Sequence, residues 1–223
     1  MQAAAMAPDG DAVEAAATAS SLIFLGTGCS GALPDVRCLI QPSTPPCATC
    51  SQALTLPPEK NPNYRCNTSL LIDYCDNDGT HKYILIDLGK TFREQVLRWF
   101  VHHKVPSVDS IILTHEHADA VLGLDDVWLV HPSNHKNEID HLPVFLTQFT
   151  MDSNFQGHAR GCHLTLTESL DAIKTICPKK ALLIGMNHEF EHQRENNILA
   201  ERSGREGIPV QLAHDGLRIF IDL

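Results

Sequence analysis

A short run of metal-ligand side chains directly after an apolar strand pattern constrains this chain more than any other feature. Residues 111–113 read Ile-Ile-Leu, and residues 114–120 continue Thr-His-Glu-His-Ala-Asp-Ala. His115 and His117 are two positions apart, so their side chains point to the same side of an extended segment. Neutral imidazole and ionised carboxylate are common ligands of zinc and related divalent ions. The pattern therefore predicts a metal site at a strand end, to which Asp119 adds an oxygen ligand.

Strand patterns and helix patterns alternate along the chain, which indicates the α/β class. Strand patterns cover residues 22–25, 68–74, 82–87, 108–113, 143–149, 181–184, 210–212 and 217–223, of which the last two read as a terminal hairpin. Helical spacing covers residues 92–103, 166–177 and 189–203. Thr91 with Glu94 and Thr165 with Glu168 have the Thr-x-x-Glu spacing of a capping box. The Pro-rich residues 33–63 are expected to be loop.

Length and charge restrict the functions that this chain can have. The 223 residues suffice for one domain, and we expect a disordered tail over residues 1–20 and a folded domain over residues 21–223. The formal charge of −10 makes a nucleic-acid partner unlikely, because such partners need a surplus of Lys and Arg. It leaves room for a small anionic ester drawn to a metal. No apolar run reaches the length of a transmembrane helix, so no membrane partner is expected, and no oligomeric state is indicated.

Residues 114–119 resemble the H-x-H-x-D motif of metallo-β-lactamase-fold hydrolases, in particular the phosphodiesterase-like branch, whose eukaryotic relatives have no known substrate. Further segments match the same family in the same order, namely residues 24–28 (FLGTG), 86–89 (IDLG), 123–126 (GLDD) and 163–165 (HLT). The resemblance covers about residues 21–149 and 163–223. It implies an αββα sandwich with a one- or two-metal site at the strand ends.

The resemblance also implies roles for individual residues. His115 and His117 would bind a first metal, Zn²⁺ or Mn²⁺, and Asp119 a second metal that takes part in catalysis. Asp87 would orient this cluster through hydrogen bonds from behind the ligands. His163 would act near the substrate as a general acid. The implied reaction is hydrolysis of a phosphodiester or related ester by a metal-bound hydroxide.

The chain departs from the family pattern at three places. Ala120 stands where the motif usually continues with a histidine, and Gly185 stands where a late T-H-x-x-H motif has a metal ligand. Residues 150–162 are a short connection in place of central strands that normally carry a further His and a bridging Asp. We therefore expect an incomplete sandwich. The alternative to an active hydrolase is a catalytically impaired or inactive shortened form, a truncated isoform that keeps part of the fold and a structural zinc.

A second metal site is predicted in the Pro-rich loop. Cys47 and Cys50 form a C-x2-C knuckle, and thiolates at this spacing can bind one structural zinc. Either Cys38 or Cys66 is expected as the third ligand. His188 matches the second histidine of the late motif and is expected as the fourth. The eight cysteines occur among many histidines without a secretory signal, which favours a reducing compartment and a cytoplasmic location.

Overall fold

A six-stranded mixed sheet forms the larger layer of the structure, a computed structural model that describes residues 19–131, 141–147 and 165–221. Its strands, in spatial order, are β5 (Val144–Leu146), β4 (Ser110–Leu113), β3 (His81–Ile86), β2 (Ser69–Cys75), β1 (Ser20–Gly26) and β8 (Arg218–Ile221). The pairs β5–β4 and β4–β3 are parallel, and the remaining pairs are antiparallel. A separate parallel pair consists of β6 (Ala181–Leu183) and β7 (Val210–Leu212).

Helices lie between these strands along the chain. They are α1 (Val36–Ile40), α2 (Ala48–Gln52), α3 (Phe92–Gln95, a π turn at Val96–Phe100, then Val101–His103), α4 (Ala118–Val121), α5 (Leu166–Ile176) and α6 (His192–Glu206). Short 3₁₀ helices cover Pro58–Lys60 and Leu124–Leu129. None of the helices in the described part of the chain combines the length and the hydrophobicity of a membrane span.

Each sheet buries one face against helices. On the larger sheet, alternate strand residues such as Ile23, Leu71 and Leu85 pack with Phe92 and Trp99 of α3 in one apolar core. Alternation places these strand residues on a single face because successive side chains of a strand point to opposite sides. A second core joins the β6–β7 pair to the two late helices through Leu170, Met186, Leu199, Val210 and Leu212. The α/β class and the sandwich arrangement expected from the sequence are confirmed, and incompleteness of the sandwich stays a prediction.

The predicted terminal hairpin is wrong, because its two strands belong to different sheets. Strand β7 pairs with β6, whereas β8 pairs with β1. The connecting turn is held to β1 instead: the amide of Gly216 donates to the carbonyl of Phe24 at 2.7 Å. The buried carboxylate of Asp215 accepts hydrogen bonds from the amide and hydroxyl of Thr27 and from the amide of Cys66. These bonds hold the turn after β7 against the end of β1, so that β8 pairs with β1 and not with β7.

Of the two capping boxes predicted at helix starts, one is confirmed and one is wrong. The capping box at Thr165 and Glu168 is confirmed, with both reciprocal hydrogen bonds present. The one predicted at Thr91 is wrong, because the Thr91 hydroxyl accepts a hydrogen bond from the amide of Asn67 rather than capping α3. The last helix, predicted to end near Gly204, continues to Glu206 and ends at Gly207, which has the positive φ of 73° that favours glycine.

The prediction that the Pro-rich residues 33–63 are loop is wrong in part, because they contain α1, α2 and the first 3₁₀ helix. Residues 150–162, predicted to be a short connection, and His163 lie outside the described residues. So do residues 1–18 of the expected tail. Strand β1 begins at Ser20, next to the predicted domain boundary, which stays a prediction.

Candidate metal centres

The predicted strand-end ligands converge after β4. One ligand atom from each of His115, His117 and Asp119 lies within 4.8 Å of the other two. The Nε2 atom of His115 is 3.9 Å from Oδ1 of Asp119, and the two imidazole centroids are 4.9 Å apart. Asp119 lies in the first turn of α4, which begins directly after His117. All three side chains can therefore reach one ion, whereas the family resemblance implies a second metal for Asp119.

Asp87 lies beside this cluster because strands β3 and β4 are parallel and end at the same edge. Its two carboxylate oxygens accept hydrogen bonds from the amide of Thr114 at 2.8 Å and from the Thr114 hydroxyl at 2.6 Å. Burial raises the pKa of Asp87, while these two hydrogen bonds act to lower it. Asp87 therefore fixes the residue directly before His115.

Thr114 connects Asp87 to the first predicted ligand. The Thr114 hydroxyl lies 2.8 Å from Nδ1 of His115. Because this hydroxyl donates its only proton to Asp87, it can only accept at the contact with His115. The Nδ1 atom of His115 then carries the proton, and the lone pair on Nε2 is directed to the cluster. The chain Asp87–Thr114–His115 thus selects the imidazole tautomer that can bind a metal.

The position after the motif offers no ligand. Ala120 is fully buried in the main core, and its carbonyl accepts a hydrogen bond from the amide of Leu88. A Cβ added to the neighbouring Gly89 would lie 2.1 Å from the carbonyl oxygen of Asp119, so only glycine permits this close approach. Gly185 contributes no side chain either, and its amide donates to the carbonyl of Thr27.

The second predicted site also converges. Ligand atoms of Cys38, Cys47, Cys50 and His188 all lie within 4.8 Å of one another. The Cys38 sulfur is 3.2 Å from Nδ1 of His188. Three sulfurs and one imidazole nitrogen form a donor set that structural zinc sites use. Of the two alternatives for the third thiol, the structure brings Cys38 into the group, while Cys66 lies elsewhere.

The environment of these thiols differs from one to the next. Burial raises the pKa of Cys50 to about 12 and also raises the pKa of Cys38. Burial acts in the same direction on Cys47, but hydrogen bonds from Cys50 and Cys38 hold its pKa below the ordinary value. The amide of Asp35 donates to the Cys50 sulfur at 3.3 Å, and the Asp35 carboxylate lies 3.6 Å from Nδ1 of His188. This carboxylate approaches the same ring nitrogen of His188 that faces the Cys38 sulfur.

Cys66 occupies a separate buried environment. Its sulfur accepts a hydrogen bond from Arg98 at 3.6 Å and lies 3.9 Å from the Glu94 carboxylate. Burial raises the pKa of Cys66 far above its usual range. Its sulfur therefore faces Arg98 and Glu94 and does not belong to the group formed by Cys38, Cys47, Cys50 and His188.

Sequence reasoning missed Arg65, which holds the backbone on both sides of His188. Its side chain is fully buried and donates hydrogen bonds to the carbonyls of Asn187 at 3.2 Å and Phe190 at 2.8 Å. These two residues lie on either side of His188, so Arg65 positions the segment that carries this histidine. Burial lowers the pKa of Arg65 to about 10. A single arginine in an irregular segment gives no pattern that could have revealed this role.

Known proteins resemble the chain mainly through their folds. No protein-family model matches it. A diphosphatase from the PhnP family superposes with a TM-score of 0.67 at 22% identity, over 92% of this chain and 98% of that one. Zinc-bound PqqB from Methylobacterium extorquens (TM-score 0.53, 14% identity) and the metallo-β-lactamase fold protein YhfI from Bacillus subtilis (TM-score 0.52, 11% identity) each match 91% of this chain and all of their own. At these identities, the likeness shows the fold alone.

One curated protein matches at the level of sequence. An octanoyltransferase of Porphyromonas gingivalis (strain ATCC BAA-308 / W83) is 37% identical over 105 residues, which make up 47% of this chain. The chain spans only 17% of the length of that relative.

Proposed function

Since the chain has the metallo-β-lactamase fold, we propose that it is a metal-dependent hydrolase of phosphodiesters or related esters. The observation that carries this proposal is the convergence of His115, His117 and Asp119 at the end of β4. Catalytic zinc sites typically have three protein ligands and leave a position for water or substrate. Two imidazoles and a carboxylate supply that number, and they also suit Mn²⁺.

Each residue of the cluster has a distinct task in this proposal. His115, His117 and Asp119 would hold a divalent cation, which would supply a Lewis acid for activating water and for stabilising developing negative charge. His115 presents Nε2 because Thr114 holds its other nitrogen, and Asp119 offsets the positive charge. His163, outside the described residues, is proposed to protonate the leaving group. The substrate is a small anionic ester, and the chain's charge of −10 argues against a polyanionic one.

We further propose that Cys38, Cys47, Cys50 and His188 hold a structural zinc. The ion would join the segment around α1 and α2 to the segment after β6, and thereby order a Pro-rich stretch that has few buried apolar residues of its own. We place the protein in the cytoplasm, because a reducing compartment preserves such a thiol cluster.

An inactive form is the alternative, and one observation favours it. Ala120 and Gly185 contribute no ligand, so among the described residues this cluster has three donors and no second-metal set. In this reading the chain is a shortened form that keeps the fold and the structural zinc but does not turn over substrate.

The test combines metal analysis with assays of the purified chain in Zn²⁺ and Mn²⁺. We expect hydrolysis of a bis-aryl phosphodiester that disappears in a His115→Ala, His117→Ala variant and persists in the matched control His102→Ala, since His102 is exposed on α3. An aryl octanoate ester serves as a second substrate, because the relative in Porphyromonas gingivalis is an octanoyltransferase. Metal bound without turnover of either substrate would support the inactive form instead.

A further inference from the structure

The thiol cluster of Cys38, Cys47, Cys50 and His188 lies near the surface, and its three sulfurs differ in exposure. Cys38 and Cys47 are half-buried, whereas Cys50 is only 1% exposed. The side chain of His188 is 34% exposed. Ligand atoms of all four residues lie within 4.8 Å of one another. Two of the three thiols are therefore within reach of small solutes and also close enough to react with each other.

The positions of the three thiols favour one pair for such a reaction. Cys38 lies in α1 and Cys47 directly precedes α2, so both belong to the same Pro-rich segment. A disulfide requires the two sulfurs to approach to about 2 Å, which side-chain rotation can provide from their present separation. Cys50 is buried, and its sulfur accepts a hydrogen bond from the amide of Asp35 at 3.3 Å. The pair that an oxidant reaches is therefore Cys38 and Cys47.

We propose that the thiol cluster is an oxidation site, at which hydrogen peroxide joins Cys38 and Cys47 in a disulfide and thereby releases the zinc. This inference rests on the structural zinc proposed above. One of the two sulfurs attacks the peroxide, the O–O bond breaks, and a sulfenic acid forms as hydroxide leaves. The other sulfur then attacks the sulfenic sulfur, the S–S bond forms and a second hydroxide leaves. The two thiolates give two electrons to the peroxide, and two protons from solvent convert both hydroxides to water.

The disulfide removes half of the ligand set. Zinc binds thiolates, and the two sulfurs of a disulfide carry no charge for it. Only Cys50 and His188 remain as ligands, whereas structural zinc sites have four. The ion therefore leaves the cluster when the disulfide forms.

The loss of zinc should affect the two sides of the cluster differently. Helix α1 buries none of its residues, so its order depends on the link from Cys38 to His188, 150 positions away. The disulfide joins two residues of the Pro-rich segment and replaces no part of that link. Arg65 still bonds to the carbonyls of Asn187 and Phe190, which hold the segment around His188 in place. Oxidation should therefore release the segment around α1 and leave the segment after β6 where it is.

Zinc release and thiol mapping on the purified, metal-loaded wild type test this proposal. A chromophoric chelator first removes exchangeable ions, and millimolar hydrogen peroxide should then release one further zinc per chain. Free thiols are blocked with maleimide in denaturant, the disulfide is reduced, and the new thiols receive a heavy maleimide. Peptide fragmentation is expected to show the heavy label on Cys38 and Cys47 and the light label on Cys50. The matched control Cys177→Ser lacks an exposed thiol outside the cluster and should behave like the wild type.

Hydrogen exchange measures the structural consequence. After oxidation, the amides of residues 36–52 should exchange at least about 10-fold faster, because local opening no longer breaks a zinc link. The amides of residues 187–190 should keep their rates. Addition of a dithiol reductant with Zn²⁺ should restore the slow exchange of residues 36–52.

The outcomes separate this proposal from the one on which it rests. A reduced wild type without a chelator-resistant zinc overturns the structural zinc and the release with it. A resistant zinc that stays bound in peroxide overturns the oxidation site alone. Release of zinc without the heavy label on both Cys38 and Cys47 overturns the oxidation site as well.

Discussion

The two candidate metal centres differ in how far apart along the chain their ligands lie. His115, His117 and Asp119 come from five consecutive residues at one strand end. Cys38 and His188 are 150 positions apart, and they meet only because α1, α2 and the segment after β6 pack together. A metal at the first site would change little in the fold, whereas a metal at the second would connect distant segments. The first arrangement suits chemistry, and the second suits stability.

Loss of the thiol cluster should have the largest effect. Cys47→Ser with Cys50→Ser removes two of four ligands, so we expect loss of one zinc and a fall of several kcal/mol in the free energy of unfolding. Thermal unfolding with and without a chelator measures this effect. The matched control is Cys177→Ser, an exposed thiol outside the cluster. An unchanged unfolding curve for the double variant would show that the cluster does not stabilise the fold.

Loss of the histidine cluster should abolish activity without unfolding the chain. His115→Ala with His117→Ala is expected to lower hydrolysis by at least about 10³-fold, because the activated water is lost with the metal. The melting temperature should stay close to that of the wild type, since the ligands are local. A large fall in melting temperature would show that the histidine cluster also stabilises the fold, which contradicts the proposed difference between the two centres.

Acid should destabilise the start of α6, where His192 is buried. His192, near the start of α6, is buried, and burial together with Arg65 and His214 lowers its pKa to about 4. Its neutral form is therefore favoured in the folded state. The resulting stability is fully present above the ordinary pKa of 6.5 and is lost as the pH falls towards 4. The loss is on the order of 3 kcal/mol.

Unfolding of the wild type and of His192→Gln, compared at pH 7.5 and at pH 4.5, measures this contribution. Asp215 acts in the opposite direction, because burial raises its pKa to about 6, so its contribution is present at low pH and is lost as the pH rises. Both proteins contain Asp215, so its effect cancels in the difference. A wild type and variant that lose stability equally would exclude His192 as the cause.

The smallest effect is expected from Thr114. Thr114→Val removes the hydroxyl that accepts from His115, so metal affinity at the histidine cluster should fall about 10-fold to 100-fold. Thr114→Ser keeps the hydroxyl and should keep the affinity. Titration with Zn²⁺ or Mn²⁺ measures both, and equal affinities for Val and Ser would contradict the proposed tautomer control.

The sequence predicted those parts of the molecule that local patterns encode. The motif around His115 and the capping box at Thr165 each depend on a few consecutive residues. The partner of β7 did not follow from proximity in sequence, because Asp215 in the turn after it bonds to Thr27, 188 positions earlier, and to Cys66, 149 positions earlier. The choice between Cys38 and Cys66 likewise required the packing of distant segments. Arg65 has no local sequence pattern, because the carbonyl groups of Asn187 and Phe190 that it bonds to are more than 120 positions away in the chain.

Metal counts by native mass spectrometry test the independence of the two centres most directly. The account predicts two metal ions in the wild type, one in the Cys47→Ser, Cys50→Ser variant and one in the His115→Ala, His117→Ala variant. The ion that survives in the histidine variant should resist chelation, and the ion that survives in the cysteine variant should exchange readily. Loss of both ions from either variant, or of neither, would contradict the account.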